Sequence, residues 1–190
     1  WFHKEFGERV ETVVHPTLAQ FIGMKVETNI DKGQISITMP KSCTQLKNTF
    51  AQDLSKFGKP ELPHDPKLKL AAATDDQVAA AKHLRMGTLL GMSVYPINWL
   101  LPEAMCTAPV ISQHMTKWSE EHYQAACKMA AYVAHHEHGL TFTASKEGLE
   151  LVSYADSDWG SHDVSRGGQV HMWMGAAVAF SSKKTLTFPS

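Results

Sequence analysis

The densest grouping of chemically able side chains is Tyr154-Ala155-Asp156-Ser157-Asp158-Trp159-Gly160. Its two carboxylates follow an apolar run, and a glycine closes the segment. That order puts an acidic pair where a strand ends and a turn begins, open to the face of a sheet. Hard divalent cations take oxygen ligands, so Asp156 is a candidate metal ligand and catalytic carboxylate, with Asp158 as a second candidate. Phosphoryl chemistry on two metal ions needs several such carboxylates converging from different elements. On spacing alone, both acids also read as ordinary strand-end and turn residues.

A second grouping is His135-His136-Glu137-His138. His135 and His138 stand three apart at the end of a helical pattern and so share a face, a spacing that suits a metal. Imidazoles near a helix C-terminus also interact with its negative end unaided, so both roles stay open. Cys43, Cys106 and Cys127 are widely spaced and odd in number. They argue against a disulfide framework and a CxxC zinc knuckle, and point to a reducing, intracellular setting in cytoplasm or nucleus. Gly160, Gly167 and Gly168 form no phosphate loop, and no GxSxG elbow occurs. Dinucleotide and serine-nucleophile chemistry therefore gain no support.

The elements that must position these residues are drawn from 190 residues, 43% of them apolar, enough for a core. Eighteen Lys and Arg against nineteen Asp and Glu leave a formal charge of -1. That balance lacks the basic excess of an autonomous, tight nucleic-acid binder. No apolar run reaches membrane-spanning length, because Pro96, Asn98, Pro102 and Glu103 interrupt the best one. The opening Trp1-Phe2-His3 is neither a signal peptide nor an initiator Met, so the chain is expected to be cut from something longer.

Period-two alternation over 21–27 and 34–39 predicts a hairpin, with Ile22, Met24 and Val26 on one face and turn chemistry at 29–33. Pro40 suits the first turn of a helix reaching to about Lys56. Pro60, Pro63 and Pro66 make 59–76 a linker. Thr74 or Asp75 then caps a helix running through 79–90, and the breaker-rich stretch 91–109 predicts short helical pieces. Ser119 caps a stronger helix, Glu120 and Glu121 load its first turn, and Gly139 supplies its stop. Cys127 lies on that helix's small-residue stripe and reads as a core thiol. Four strands are expected over 140–143, 149–155, 170–174 and 176–181, the last three as an antiparallel meander. The fold class is α+β: a hairpin-plus-helix unit (1–58), the linker (59–76), a helical region (77–145) and the meander (146–190).

With these residues in view, Tyr154–Gly160 resembles the (Y/G)-x-D-x-D-W-x-G segment that opens the RNase H domain of copia-type retrotransposon polyproteins. Phe21-Ile22-Gly23-Met24-Lys25-Val26 is similar to the "FLG-apolar-x-apolar" strand that follows the reverse-transcriptase palm. Gly33-Gln34-Ile35 and the helix to Phe50 match "G-x-I-x-L-x-Q-x-x-Y…L-L-x-x-F" in pattern. Gly87-Thr88-Leu89-Leu90 resembles "G-S-L-apolar", and Ser119 to Ala126 resembles "t-x-E-H-w-x-A-apolar". Tyr132-Val133 with Gly139-Leu140-Thr141-Phe142 is similar to "r-Y-L-k-g-T-x-x-x-G-L-x-Y". Ala179-Phe180-Ser181-Ser182-Lys183-Lys184 resembles "S-W-S-S-K-K". The motifs cover essentially the whole chain, in order.

The resemblance implies the stretch from reverse-transcriptase thumb and connection to the start of RNase H. Asp156 then matches the first metal-binding carboxylate, which would hold magnesium or manganese. The departures limit this. No YxDD occurs, the "R-P-D" region expected near Pro102-Glu103 or Ala108-Pro109 has diverged, and the "D-R-K-S-T-S-G" loop is replaced by Asp163-Val164-Ser165-Arg166-Gly167-Gly168. The Glu of the family's "S-x-E-A-E" helix would follow Ser190. One carboxylate cannot hold two metal ions about 4 Å apart. The leading expectation is a fragment or domesticated remnant, inactive alone, that contacts an RNA–DNA hybrid backbone through Lys41, Lys47, Arg166, Lys183 and Lys184. One alternative is a metal-dependent ribonuclease using Asp156, helped by Asp158 or Asp163. Another is a catalytically inert structural or interaction module that pairs as a homodimer or with the rest of a polyprotein.

Overall fold

Ile22 and Gly23 reverse the chain at its first described turn, with φ of 41° and 82°. They join β1 (Gln20–Phe21) to β2 (Met24–Asn29). Positive φ at both turn positions gives the mirror-image turn whose twist matches paired strands. The alternation over 21–27 is therefore cut in two, a correction to the single strand expected there. Tyr95 closes the turn from the helical side by donating its hydroxyl proton to the Ile22 carbonyl. This is a computed structural model, which describes residues 19–65, 69–136, 138–144, 150–157 and 166–184. Asp158 and Asp163 lie outside the described residues.

β3 (Gln34–Thr38) runs antiparallel to β2, and β4 (Leu140–Thr143) pairs with its other edge, Ile37 opposite Leu140. The first sheet thus has the order β1-β2-β3-β4. Gly139 makes the last pairing possible. Its φ is 56°, and a Cβ there would fall 2.0 Å from the Ile37 carbonyl oxygen. The residue expected to stop a helix instead lets two backbones touch.

The helix expected over 40–56 is two: α1 (Pro40–Thr49) and α2 (Ala51–Ser55). Phe50 leaves the helical region at φ -122°, its ring is buried, and the Arg85 guanidinium lies 4.5 Å over it. Thr74 caps α3 (Asp75–Ala81) in a reciprocal box with Gln77. The chain then breaks before α4 (Met86–Leu100), so 79–90 is not one helix. α4, by contrast, runs unbroken through Gly91 and Pro96. Met86, Leu89, Leu90 and Ile97 are buried along it, and that burial outweighs the hydrogen bond Pro96 removes. The short pieces expected over 91–109 appear only at its end, as a 3₁₀ turn (Pro102–Ala104) and α5 (Thr107–Ser112). α6 (Glu120–His135) starts at Ser119 as expected.

One core joins these helices: Leu46 and Phe50 meet Leu89, Ile97, Cys127 and Val133. A smaller cluster of Met24, Met39 and Leu100 presses the first sheet onto the end of α4.

β5 (Leu151–Ser157), β6 (Arg166–Trp173) and β7 (Ala176–Lys184) form a separate antiparallel sheet in that order. Met174 and Gly175, at φ 50° and 80°, make a mirror-image turn between β6 and β7. Thr143 N–H donates to the Met174 carbonyl at 2.8 Å, and the Phe142 ring lies 6.5 Å from Trp173. These contacts fasten the meander to the first sheet. The overall class is α+β, with six α-helices and two antiparallel sheets among the described residues.

Candidate nucleic-acid interface

The register of the three-stranded sheet decides which residues share a face. Asp156 pairs with Gly168, and Gly168 with Ser182. One pleat further along, Arg166 stands directly opposite Lys184. Side chains repeat at period two, so Asp156, Ser182, Arg166 and Lys184 lie on one face. Lys183, opposite Gly167, projects from the other.

Two cations directly across a ladder repel, and such a pair is destabilising where nothing negative lies between them. Arg166 finds partial relief by donating from Nη2 to the Gln113 Oε1, 3.1 Å away. Lys183 and Lys184 are exposed. Three of the five expected backbone cations are therefore gathered at one end of the meander. Lys41 and Lys47 sit elsewhere, on α1, where Lys41 lines a shallow groove with Thr44, Gln45 and Asn48.

The Asp156 face also forms one wall of a cleft of about 600 Å³. Tyr154, Val170 and Phe180 line it from the sheet, and Glu103, Met105 and Cys106 from the 3₁₀ turn and the residues after it. Asp156 is exposed, and its Oδ1 accepts from the Ser157 N–H at 2.8 Å. Glu103 accepts from the Tyr132 hydroxyl at 2.9 Å, and His138 Nε2 lies 3.3 Å from the same carboxylate oxygen. Burial, then the hydrogen bond to Glu103, pushes the Tyr132 phenol well above its ordinary range, so it stays a donor. No local motif marks Glu103. Only the fold brings it to the cleft.

The histidine cluster does not form the helical pair expected of it. α6 ends at His135 with His136 as its C-cap, so His138 lies beyond the helix. The His136 ring stacks on Tyr132 at 3.9 Å, and its Nδ1 lies 2.9 Å from the Tyr132 carbonyl. Among the described residues, no three His, Cys, Asp or Glu side chains gather closely enough for a metal ion. Asp156 and Glu103 share a cleft, but two carboxylates fall short of the ligand set that two magnesium or manganese ions require. The described residues do not fit a two-metal centre, and no hydrolytic step is derived from one.

Cys127 is fully buried, and burial pushes its thiol up to about 12, in keeping with a core residue. Cys106 is exposed. No helix among the described residues is long and apolar enough to cross a membrane. No protein family, curated protein or solved structure matches the chain.

Proposed function

We propose that this chain binds nucleic-acid backbone, with the end of the three-stranded sheet as its contact surface and an RNA–DNA hybrid as its ligand. The reading rests on one observation, the Arg166–Lys184 pair held directly across β6 and β7 on the Asp156 face. A phosphate between two such cations turns mutual repulsion into two charge-assisted contacts. The resemblance of Tyr154–Gly160 and Ala179–Lys184 to copia-type RNase H segments supports a hybrid over a single strand. On this reading the chain is a fragment or domesticated remnant of a reverse transcriptase that grips substrate without completing the chemistry.

The test is fluorescence anisotropy of a labelled RNA–DNA hybrid over a range of salt. The expected result is salt-dependent binding, with the slope reduced by about 1 each by Arg166→Gln and Lys184→Gln. Binding unchanged in the double variant, or no binding at low salt, would overturn the proposal. Cleavage of the hybrid with magnesium or manganese, lost on Asp156→Asn, would instead favour a ribonuclease completed by residues from elsewhere.

A further inference from the structure

His122 occupies the third position of α6, and its ring is buried. Its Nδ1 accepts the Ser119 N–H at 3.2 Å and lies 2.8 Å from the Ser119 hydroxyl oxygen. A nitrogen that accepts an N–H carries no proton, so the ring proton sits on Nε2. That atom is buried and makes no well-formed hydrogen bond among the described residues, the Ala71 backbone giving it only weak support. The neutral ring therefore caps the helix while its buried Nε2 donor is poorly satisfied.

The ring of His114 lies 4.4 Å from that of His122. Its Nε2 is 3.1 Å from the Gln113 amide nitrogen, which donates to it. The Gln113 carbonyl oxygen is thereby turned outward, where it accepts from Arg166. A continuous line of contacts thus runs from the cap of α6 to one of the two paired cations: Ser119, His122, His114, Gln113, Arg166.

We propose that His114 and His122 form an acid-operated joint which, on protonation, undocks residues 113–118 and frees Arg166 from Gln113. A proton on His122 Nδ1 would set a donor against the Ser119 N–H and lose that half of the cap, leaving the ring only the Ser119 hydroxyl as acceptor. It would also place a cation at the positive end of α6. A proton on His114 Nε2 removes the acceptor that orients Gln113, and two charged rings 4.4 Å apart repel. Burial disfavours the charged form of both rings, and the two histidines oppose each other further at His122. Glu121 and the Ala71 backbone favour the charged His122, but burial outweighs them. The Lys117–Asp75 ion pair at 3.0 Å ties the same connection to α3, and it is exposed at both ends. Both rings bind protons less readily when docked than when open. The docked state is thus fully held above the ordinary histidine range and is lost as pH falls through it.

The consequence for ligand rests on the nucleic-acid reading above, whereas the joint itself does not. The test is amide exchange of the whole chain at pH 7.5 and 5.5, expressed as protection factors. The expected result is a several-fold fall in protection at 113–122 in acid, with β2, β3 and α4 unchanged. His122→Gln keeps an acceptor for the Ser119 N–H but cannot take up a proton, so the acid effect should shrink in it and vanish only when His114→Gln is added. An equal fall in His122→Gln, no fall in the parent, or a parallel loss across all helices would overturn the joint. A second arm measures RNA–DNA hybrid binding at both pH values. Binding should tighten in acid in the parent, and less so in Arg166→Gln and His122→Gln. Equal tightening in all three would overturn the link from the joint to Arg166. Absence of hybrid binding at either pH would overturn the proposed function, while the exchange data still decide the joint.

Discussion

Single side chains set the chemistry this fold permits. The three thiols divide by burial: Cys43 and Cys127 are buried and Cys106 is exposed. A thiol needs its anion to react, and burial holds that of Cys127 out of reach at neutral pH. Brief iodoacetamide treatment of the native protein should therefore modify Cys106 alone, with the others reacting only after unfolding. Peptide mass mapping reads this directly, and early labelling of Cys127 would contradict the buried placement. Tyr132 offers a second check. Its hydroxyl bridges α6 to Glu103, so Tyr132→Phe should lower stability by about 1 kcal/mol in urea unfolding, the usual worth of such a bond. A loss near zero would mean that Glu103 is held by His138 alone.

At the level of elements, local signals worked where the determinant was local. Thr74 and Ser119 each precede an acidic first turn, and both cap as their residue types require. Thr74→Ala should cost about 1 kcal/mol, because Gln77 loses its reciprocal partner. The antiparallel meander was likewise legible from alternation punctuated by small residues. Three features were not. Phe50 breaks a helical pattern because its ring fills the core, a packing cause that periodicity does not contain. Pro96 fails to break α4 because burial around it outweighs local preference. The pairing of β3 with β4 joins segments about a hundred residues apart, and nothing in 140–143 names its partner. Gly139 is the trace that pairing leaves in the sequence. Gly139→Ala meets both a left-handed backbone and the Ile37 carbonyl, so a loss of about 2–4 kcal/mol is expected in thermal or urea melts. A tolerated alanine there would mean that β4 does not dock as described.

The molecule as a whole is unevenly held. Helices α1, α4 and α6 share one dense core, while the meander leaves Leu151 62% and Tyr154 60% exposed. Regions with few buried apolar contacts open at lower free energy than the core. Amides of β5 should therefore exchange at least as fast as any in β2 and β3, and far faster than those of α4. Uniform protection across both sheets would show that the meander is stabilised as firmly as the helical core. The candidate interface lies on the more loosely held part, which is where adaptation to a ligand costs least. Of that interface, Asp156 and the cations were legible as residue types in a recognisable order. Their common face was not, because it depends on the register between β6 and β7.

The β3–β4 pairing also dictates an order of events during synthesis. The β2–β3 hairpin leaves the ribosome with one edge bare, and its covering strand lies beyond the whole helical region. At about 5–20 residues per second, that edge waits roughly 5–20 s for its partner. Throughout that interval Ile35 and Ile37 belong to a strand with one open edge, a template for any passing chain. The nascent protein thus spends its early life dependent on a segment not yet made, and its yield in a cell becomes a question of timing as well as stability.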